Sequence, residues 1–162
     1  MRRDKHNYYL DIAQTVSERA TCLRKHYGAV IVKNDEIVST GYNGAPRGRA
    51  NCIDLNYCIR QQLNIPRGEK YEICRSVHAE ANAIISASRN ETLDGTLYMA
   101  CIDPSTGNLE PNVCSCTMCK RMIINAGIKT VIVRNTPDEY TVIDVQRDWV
   151  ESDETLDGIF NY

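Results

Sequence analysis

Apolar residues at helical spacing open the chain. Between residues 8 and 22 they recur every three or four positions, at Tyr9, Ile12, Ala13, Val16 and Ala20. This spacing predicts a first helix, because residues three and four apart lie on one helical face. Two more helices are predicted at residues 78–88 and from about residue 116 to 125, the last closed by Gly127 as a left-handed C-cap.

Short runs rich in β-branched residues predict the strands. The first two are separated by the turn-like Lys33-Asn34-Asp35 and are expected to form a hairpin. The predicted strands are residues 28–32, 36–42, 97–101 and 129–133, with a fifth candidate at 141–145. Strands alternating with helices predict a layered α/β fold, and the length of 162 residues predicts one domain over residues 1–162.

Residues 43–77 form a predicted loop without periodicity. They contain five glycine or proline residues and three cysteines. A loop this long in a compact domain is usually functional or is held by a cross-link of its own. We therefore expect this segment to carry part of a site.

Composition narrows the class of protein. The formal net charge of −2 disfavours non-specific nucleic-acid binding, which depends on neutralising phosphates. No apolar run is long enough to span a bilayer and the N-terminus lacks an apolar signal core, so we expect a cytoplasmic protein. Eight cysteines are many for a reducing compartment, and metal binding or catalysis explains them better than disulfides do.

Two short motifs carry the candidate chemistry. His78-Ala79-Glu80 starts one predicted helix and Cys116-Thr117-Met118-Cys119 starts another. Zinc binds nitrogen and sulfur in a tetrahedral arrangement, so one imidazole and two thiolates leave one position open for water, as in catalytic sites. The positive end of a helix also favours thiolate over thiol. We therefore predict His78, Cys116 and Cys119 as zinc ligands.

Glu80 is the predicted catalytic residue. It cannot share the helical face of His78, but at the start of a helix it can turn toward the open zinc position. Zinc lowers the pKa of a bound water toward ~7, and a carboxylate there can carry a proton to departing ammonia. This predicts hydrolytic deamination of an amidine-like ring carbon. The alternative is a structural zinc site with Cys114 as a fourth ligand.

These motifs and two upstream stretches carry a family resemblance. His-x-Glu followed by Cys-x-x-Cys is the signature of zinc nucleobase deaminases. Over about residues 8–133 the chain resembles the cytidine and deoxycytidylate deaminase superfamily, and Gly41-Tyr42-Asn43-Gly44 looks most like its deoxycytidylate (dCMP) deaminases. The stretches that carry the resemblance are residues 21–30, 41–48, 78–84, 116–120 and 125–128.

The resemblance implies a fold, a reaction and partners. The fold would be the three-layer α/β/α cytidine deaminase-like fold with a central mixed five-stranded sheet. The reaction would convert dCMP and water to dUMP and ammonia, which supplies dTMP synthesis. Asn43 would bind the sugar and the backbone amide of Ala79 the pyrimidine. The assembly would be a homohexamer or dimer regulated by dCTP and dTTP, with Mg²⁺ accompanying the effector.

The resemblance also places effector binding in the loop of residues 41–48. Gly44 allows close backbone approach to a ligand. Arg47 and Arg49 are candidates to hold a phosphate through charge-assisted hydrogen bonds, unless they are solvated arginines on a surface turn. The further phosphate candidates, with a solvated helix end as their alternative, are Arg24 and Lys25.

The chain departs from the family pattern in two places. Ser115 stands where a proline usually precedes the first zinc cysteine. Residues 102–114 also form a longer loop than usual beside the expected site. Both departures bear on the choice of substrate more than on the chemistry.

Four other cysteines support a hypothesis of a second metal site. Some relatives hold a second, structural zinc in this region, and such a cross-link would order the long loop. The alternative is that these cysteines are small buried apolar side chains. The residues are Cys22, expected to close the first helix, and Cys52, Cys58 and Cys74.

Other functions compete with a mononucleotide deaminase. A deaminase of another small base, nucleoside or nucleotide would share the motifs. A tRNA or single-stranded DNA deaminase would favour a broad basic face with exposed aromatic residues, which the acidic composition disfavours. A non-catalytic zinc-binding module would have no use for Glu80.

Overall fold

One mixed sheet of five strands organises the protein, whose computed structural model describes residues 1–156. Residues 157–162, the end of the predicted domain, lie outside the described part. The strands are β1 (His26–Lys33), β2 (Glu36–Tyr42), β3 (Thr96–Ile102), β4 (Thr130–Arg134) and β5 (Tyr140–Asp144). They are ordered β2-β1-β3-β4-β5, with β3 and β4 parallel and the other neighbours antiparallel.

Helices precede, follow and connect these strands. In residues 1–156 the α-helices are α1 (Lys5–Ser17), α2 (Cys52–Leu55), α3 (Ile59–Gln62), α4 (Ala79–Ile85), α5 (Arg89–Thr92) and α6 (Thr117–Asn125). A 3₁₀ turn lies at Tyr71–Ile73 and a π-helix at Gln146–Glu151. Over the same residues, no helix combines the length and the apolar character needed to cross a membrane.

Successive residues of the central strands point into two separate apolar layers. On one face, Leu10 of α1 packs in a cluster with Val30 of β1 and Tyr98 of β3. On the other face, Ala83 of α4 and Ile123 of α6 join the alternate residues of the same strands. Because both faces are covered, β1 and β3 are apolar throughout their middles. The predicted three-layer α/β/α fold with a mixed five-stranded sheet is confirmed.

The predicted strands agree with those observed to within two residues at each end, and the candidate fifth strand is present as β5. The hairpin of β1 and β2 is also as expected. Gly127 has a positive φ of 76° directly after α6, as predicted for its C-cap. The loop of residues 43–77 contains only α2, α3 and the 3₁₀ turn.

The first helix lies further toward the N-terminus than its apolar spacing predicts. It begins after Asp4, whose carboxylate accepts a hydrogen bond from the Asn7 backbone amide at 3.0 Å. It ends at Ser17, and the next residues close tighter turns, with the Ala20 amide bonded to the Ser17 carbonyl. The prediction that Cys22 closes this helix is therefore wrong, because the chain has already turned toward β1.

Gly28 of β1 is where α1 approaches the sheet most closely. A Cβ atom at Gly28 would lie 1.9 Å from the Ala13 carbonyl oxygen and 2.6 Å from the Ser17 nitrogen. Both contacts are with helix backbone, so the clash cannot be relieved by a rotamer change. Only glycine fits here without moving α1 away from the sheet.

We expect Gly28→Ala to lower the free energy of unfolding by about 3 kcal/mol or more, because overpacking against backbone displaces the whole helix. Thermal melting of the two proteins measures this. Gly48→Ala is the comparison: Gly48 has φ +90° and open space around it, so that variant costs about 1–2 kcal/mol of backbone strain alone. Equal melting temperatures for the two variants would contradict the packing argument.

Candidate metal centre and adjoining pocket

Two helix starts meet on one face of the sheet. His78 is the N-cap residue of α4 and Cys116 is the N-cap residue of α6. The parallel strands β3 and β4 are connected through α6, so α6 begins beyond the end of β3. Both helices pack in the same apolar cluster. This packing carries the two predicted motifs to one place.

The three predicted zinc ligands lie together. The Nδ1 atom of His78 is 3.4 Å from the Sγ atom of Cys116 and 3.4 Å from that of Cys119. All three donor atoms lie within 4.8 Å of one another. Tetrahedral zinc with ordinary bond lengths separates its nitrogen and sulfur ligands by about 3.5–3.8 Å. The donor set therefore fits zinc in both chemistry and spacing.

The protonation states of the three groups depend on one another. Hydrogen bonding from Cys119, and then from His78, lowers the pKa of Cys116. The same hydrogen bond between the two thiols raises the pKa of Cys119. Burial lowers the pKa of His78, but hydrogen bonds to Cys116 and Cys74 and the charge of Glu80 outweigh it, to about 11. Cys116 is thus held as a thiolate, the form in which cysteine binds metals, whereas His78 and Cys119 must each release a proton before they bind one.

Glu80 lies beside this donor set. It is in the first turn of α4 with only 4% of its surface exposed. It lines the same pocket as His78 and Cys116, and its charge acts on the Cys119 thiol. Among residues 1–156, no fourth histidine, cysteine or carboxylate joins the three donors, and Cys114 is an exposed side chain outside the group. The geometry thus places a carboxylate next to three ligands and leaves room for a small molecule.

A pocket opens from the donor set toward the loop of residues 43–77. Both residues expected to contact substrate line it. Ala79 is fully buried at the first position of α4, where backbone amides have no partner within the helix. The Asn43 side chain is held by the backbone: its Oδ1 accepts from Tyr27 at 2.8 Å and its Nδ2 donates to Lys25 at 2.9 Å. The Oδ1 atom can accept one further hydrogen bond and the Nδ2 atom can donate one more.

Two of the four predicted phosphate-binding candidates line the pocket and two do not. Arg24 and Lys25 line it, and Lys25 is already paired with Glu110 at 2.7 Å and Asp103 at 3.1 Å. The two exposed arginines of the loop, Arg47 and Arg49, do not line this pocket.

Gly44 serves packing in this structure. A Cβ atom there would lie 2.6 Å from the Thr21 hydroxyl oxygen. Its backbone forms an isolated antiparallel bridge with Val77. Its small size therefore lets the loop close against Thr21 and join the segment that leads into His78.

The four candidate ligands of a second zinc occupy one neighbourhood without forming a tight cluster. Cys22, Cys58 and Cys74 line the pocket. Cys52 is buried, and burial followed by the charges of the other three raises its pKa. Among residues 1–156, the only set of three or more potential ligands within metal-binding distance is His78, Cys116 and Cys119.

The longer loop after β3 is fixed to the rim of the pocket. Its acidic residues, Asp103 and Glu110, form the two ion pairs with Lys25. Ile102 and Leu109 form an isolated bridge across its base. Ser115, which replaces the usual proline, is 5% exposed, and its hydroxyl has no hydrogen-bond partner among residues 1–156.

Sequence reasoning missed several pocket residues in the segment from α3 to the start of α4. Arg60, Arg67, Tyr71 and Ser76 line the pocket. The Tyr71 ring contacts the His78 ring edge-on, with centroids 5.2 Å apart, and the Arg60 guanidinium carbon lies 4.4 Å from the Tyr71 centroid. The only available signal in the sequence was the excess of cations and cysteines in the aperiodic segment of residues 43–77. That excess does not indicate which of these side chains contact one another.

Comparison with known proteins identifies the family. The family model for the cytidine and deoxycytidylate deaminase zinc-binding region matches residues 3–135. The chain belongs to this family. The zinc-binding character of the family agrees with the His78, Cys116 and Cys119 donor set, and zinc is the cofactor that both indicate.

Individual relatives agree with this membership. The deoxycytidylate deaminase of Mycobacterium phage D29 is 35% identical over 136 residues, covering 81% of this chain and 94% of that protein. The deoxycytidylate deaminase of Schizosaccharomyces pombe is 30% identical over 126 residues, covering 78% of this chain but only 35% of that protein. The chain therefore spans about a third of the yeast relative and nearly all of the phage one.

Solved structures give the same fold. The dCMP deaminase of cyanophage S-TIM5 in apo form matches with a TM-score of 0.57 and 26% identity, covering 85% of this chain and 88% of that one. The same cyanophage enzyme in complex with dCMP and dUMP matches with a TM-score of 0.57 and 25% identity, covering 84% and 85%.

Proposed function

We propose that this protein is a deoxycytidylate deaminase that converts dCMP and water to dUMP and ammonia. The observation that carries the proposal is the group of His78, Cys116 and Cys119 with the buried carboxylate of Glu80 beside it, at the end of a pocket. The names of the phage and yeast relatives and the nucleotides bound by the cyanophage enzyme support dCMP as the substrate.

The residues have separate tasks in this reaction. His78, Cys116 and Cys119 would hold a zinc ion, which would supply the Lewis acidity that lowers the pKa of water. Glu80 takes a proton from the attacking water and delivers it to the amino group that leaves C4 of the ring. One C–O bond forms and one C–N bond breaks, so ammonia departs. The Ala79 backbone amide binds the pyrimidine and Asn43 binds the sugar, as the family resemblance implies.

A substrate panel tests the proposal. Zinc-loaded protein is offered dCMP, CMP, deoxycytidine, dCTP, guanine and tRNA, and the loss of amino-base absorbance is followed. We expect the highest kcat/KM for dCMP. Preferred turnover of guanine or tRNA would replace this assignment with one of the competing deaminase activities. No turnover of dCMP, with or without dCTP, would reject it.

We also propose a second, structural zinc on some of Cys22, Cys52, Cys58 and Cys74. Three of these line one pocket, and their charges act on the fourth, Cys52, which supports a shared site. Metal analysis of carefully prepared protein is expected to give two zinc ions per chain. One zinc per chain would remove this proposal and leave the catalytic site unaffected.

We further propose that residues 1–162 form one deaminase domain, which assembles as a cytoplasmic homohexamer or dimer regulated by dCTP and dTTP, with Mg²⁺ accompanying the effector. A reducing compartment suits a thiolate zinc site. The family resemblance supports the effectors and their loop, with Gly44, Arg47 and Arg49. Exposed apolar side chains between α2 and the 3₁₀ turn support assembly: Ile53, Leu55, Tyr57, Leu63 and Ile73. Light scattering with and without dCTP and Mg²⁺ tests the assembly, and a monomer under both conditions would contradict it.

A further inference from the structure

Arg60 is a buried cation that forms no ion pair with a carboxylate of residues 1–156. It is 5% exposed, and its Nη2 atom donates to the backbone carbonyls of Pro66 at 2.8 Å and Glu69 at 2.9 Å. Its Nε atom is buried and has no hydrogen-bond partner among residues 1–156. An arginine keeps its charge when buried, and an unmatched buried charge is costly. The side chain is therefore held in position with an unused donor.

Ser76 offers a second unused group in the same pocket. Its hydroxyl is buried and has no hydrogen-bond partner among the described residues. Ser76 and Arg60 both line the pocket that ends at the metal ligands. Buried polar groups in folded proteins are normally paired, so two unpaired polar atoms in residues that line one pocket indicate a polar ligand nearby.

The positive charge around these two groups indicates that the ligand is an anion. Arg24 and Arg67 also line the pocket, and neither guanidinium has a hydrogen bond or ion pair within residues 1–156. The third cation at the rim, Lys25, is offset by the two carboxylates of the longer loop. Within the part of the chain that the structure describes, three arginines thus line the pocket without carboxylate partners. Guanidinium groups bind phosphate through charge-assisted hydrogen bonds.

The position of Arg60 relative to the metal ligands suits a mononucleotide. One aromatic ring, that of Tyr71, contacts both the Arg60 guanidinium and the His78 ring. A mononucleotide carries its base and its phosphate at opposite ends of the sugar. With the base at His78 and Glu80, the phosphate would extend toward Tyr71 and the Arg60 guanidinium that contacts its ring.

We propose that Arg60 and Ser76 bind the 5′-phosphate of the substrate, with Arg67 and Arg24 completing the subsite at its mouth. This inference rests on the proposed function, because it assumes that the base occupies the metal centre. It also assigns the preference for a nucleotide over a nucleoside to these residues. The exposed arginines Arg47 and Arg49 take no part in it.

Binding of the product nucleotide dUMP, measured by calorimetry on the zinc-loaded full-length protein, tests the subsite. We expect Arg60→Gln to weaken dUMP binding by roughly 10- to 100-fold, as for loss of a charged hydrogen bond. Arg67→Gln and Ser76→Ala should weaken it by roughly 3- to 10-fold. Arg121→Gln, which removes an exposed arginine outside the pocket, is the control and should leave it unchanged.

Two further measurements distinguish failure of the phosphate subsite from failure of the proposed deaminase function. Each variant is compared for kcat/KM on dCMP and on deoxycytidine, and the loss should fall on dCMP alone. If Arg60→Gln fails to fold, Ser76→Ala and Arg67→Gln decide the matter. Wild-type dUMP binding in both would overturn the subsite while leaving dCMP deamination intact. A wild-type protein that neither binds dUMP nor converts dCMP would overturn both proposals.

Discussion

Glu80→Gln is expected to lower kcat for dCMP by about 10²–10⁴-fold while the zinc content stays at the wild-type level. Glutamine has the shape of glutamate but cannot carry a proton between the attacking water and the departing amine. Because Glu80 is not one of the three clustered donors, its replacement leaves His78, Cys116 and Cys119 in place. Absorbance assays and metal analysis on the same preparation measure the two quantities.

The matched control for this prediction is Glu36→Gln. Glu36 is an exposed carboxylate at the start of β2, away from the pocket, so its replacement changes the net charge equally. We expect this variant to keep wild-type kcat. If Glu80→Gln retained more than a tenth of the wild-type activity, another group would have to carry the proton and the assigned role of Glu80 would fail.

The sheet was predictable because its signals are local. β1 and β2 are β-branched runs on either side of a turn. Gly127, which follows α6, marks the end of that helix. The donor set was predictable for a related reason. His78, Cys116 and Cys119 lie in two short motifs at helix starts, and the two motifs together match the signature of zinc nucleobase deaminases.

The limits of α1 depended on contacts that apolar spacing does not record. Its start is set by the Asp4 cap and its end by the need to pass close to Gly28. Arg134 shows the same limitation within a strand. This side chain is 2% exposed and pairs with Asp11 at 2.7 Å and Gln14 at 2.9 Å, both on α1. Periodicity alone assigns such a residue to the surface.

The pocket wall was the least predictable part. Arg60, Tyr71 and Ser76 belong to a segment whose path is set by individual hydrogen bonds, such as those from Arg60 to the Pro66 and Glu69 carbonyls. A sequence without periodicity gives no register for such contacts. The structure therefore supplies the phosphate subsite, whereas the motifs alone indicate the metal centre.

Cys119→Ala should lose the catalytic zinc and all measurable dCMP turnover. The Cys119 sulfur is fully buried and 3.4 Å from Nδ1 of His78, so no nearby water can replace it easily. Loss of a direct ligand should weaken zinc binding by more than the roughly 10–100-fold that loss of an outer hydrogen-bond partner costs. The melting temperature should also fall, because zinc stabilises the folded state to which it binds. Metal analysis should show one zinc fewer per chain.

Cys114→Ser is the control that separates a catalytic from a structural zinc. Cys114 lies near the same helix start, but it is exposed and outside the cluster of donors. We expect this variant to retain both its zinc and its activity. Loss of zinc on replacing Cys114 would mean that four protein ligands enclose the ion. The coordination position required by an attacking water would then be filled, and the protein would be a structural zinc module instead of a hydrolase.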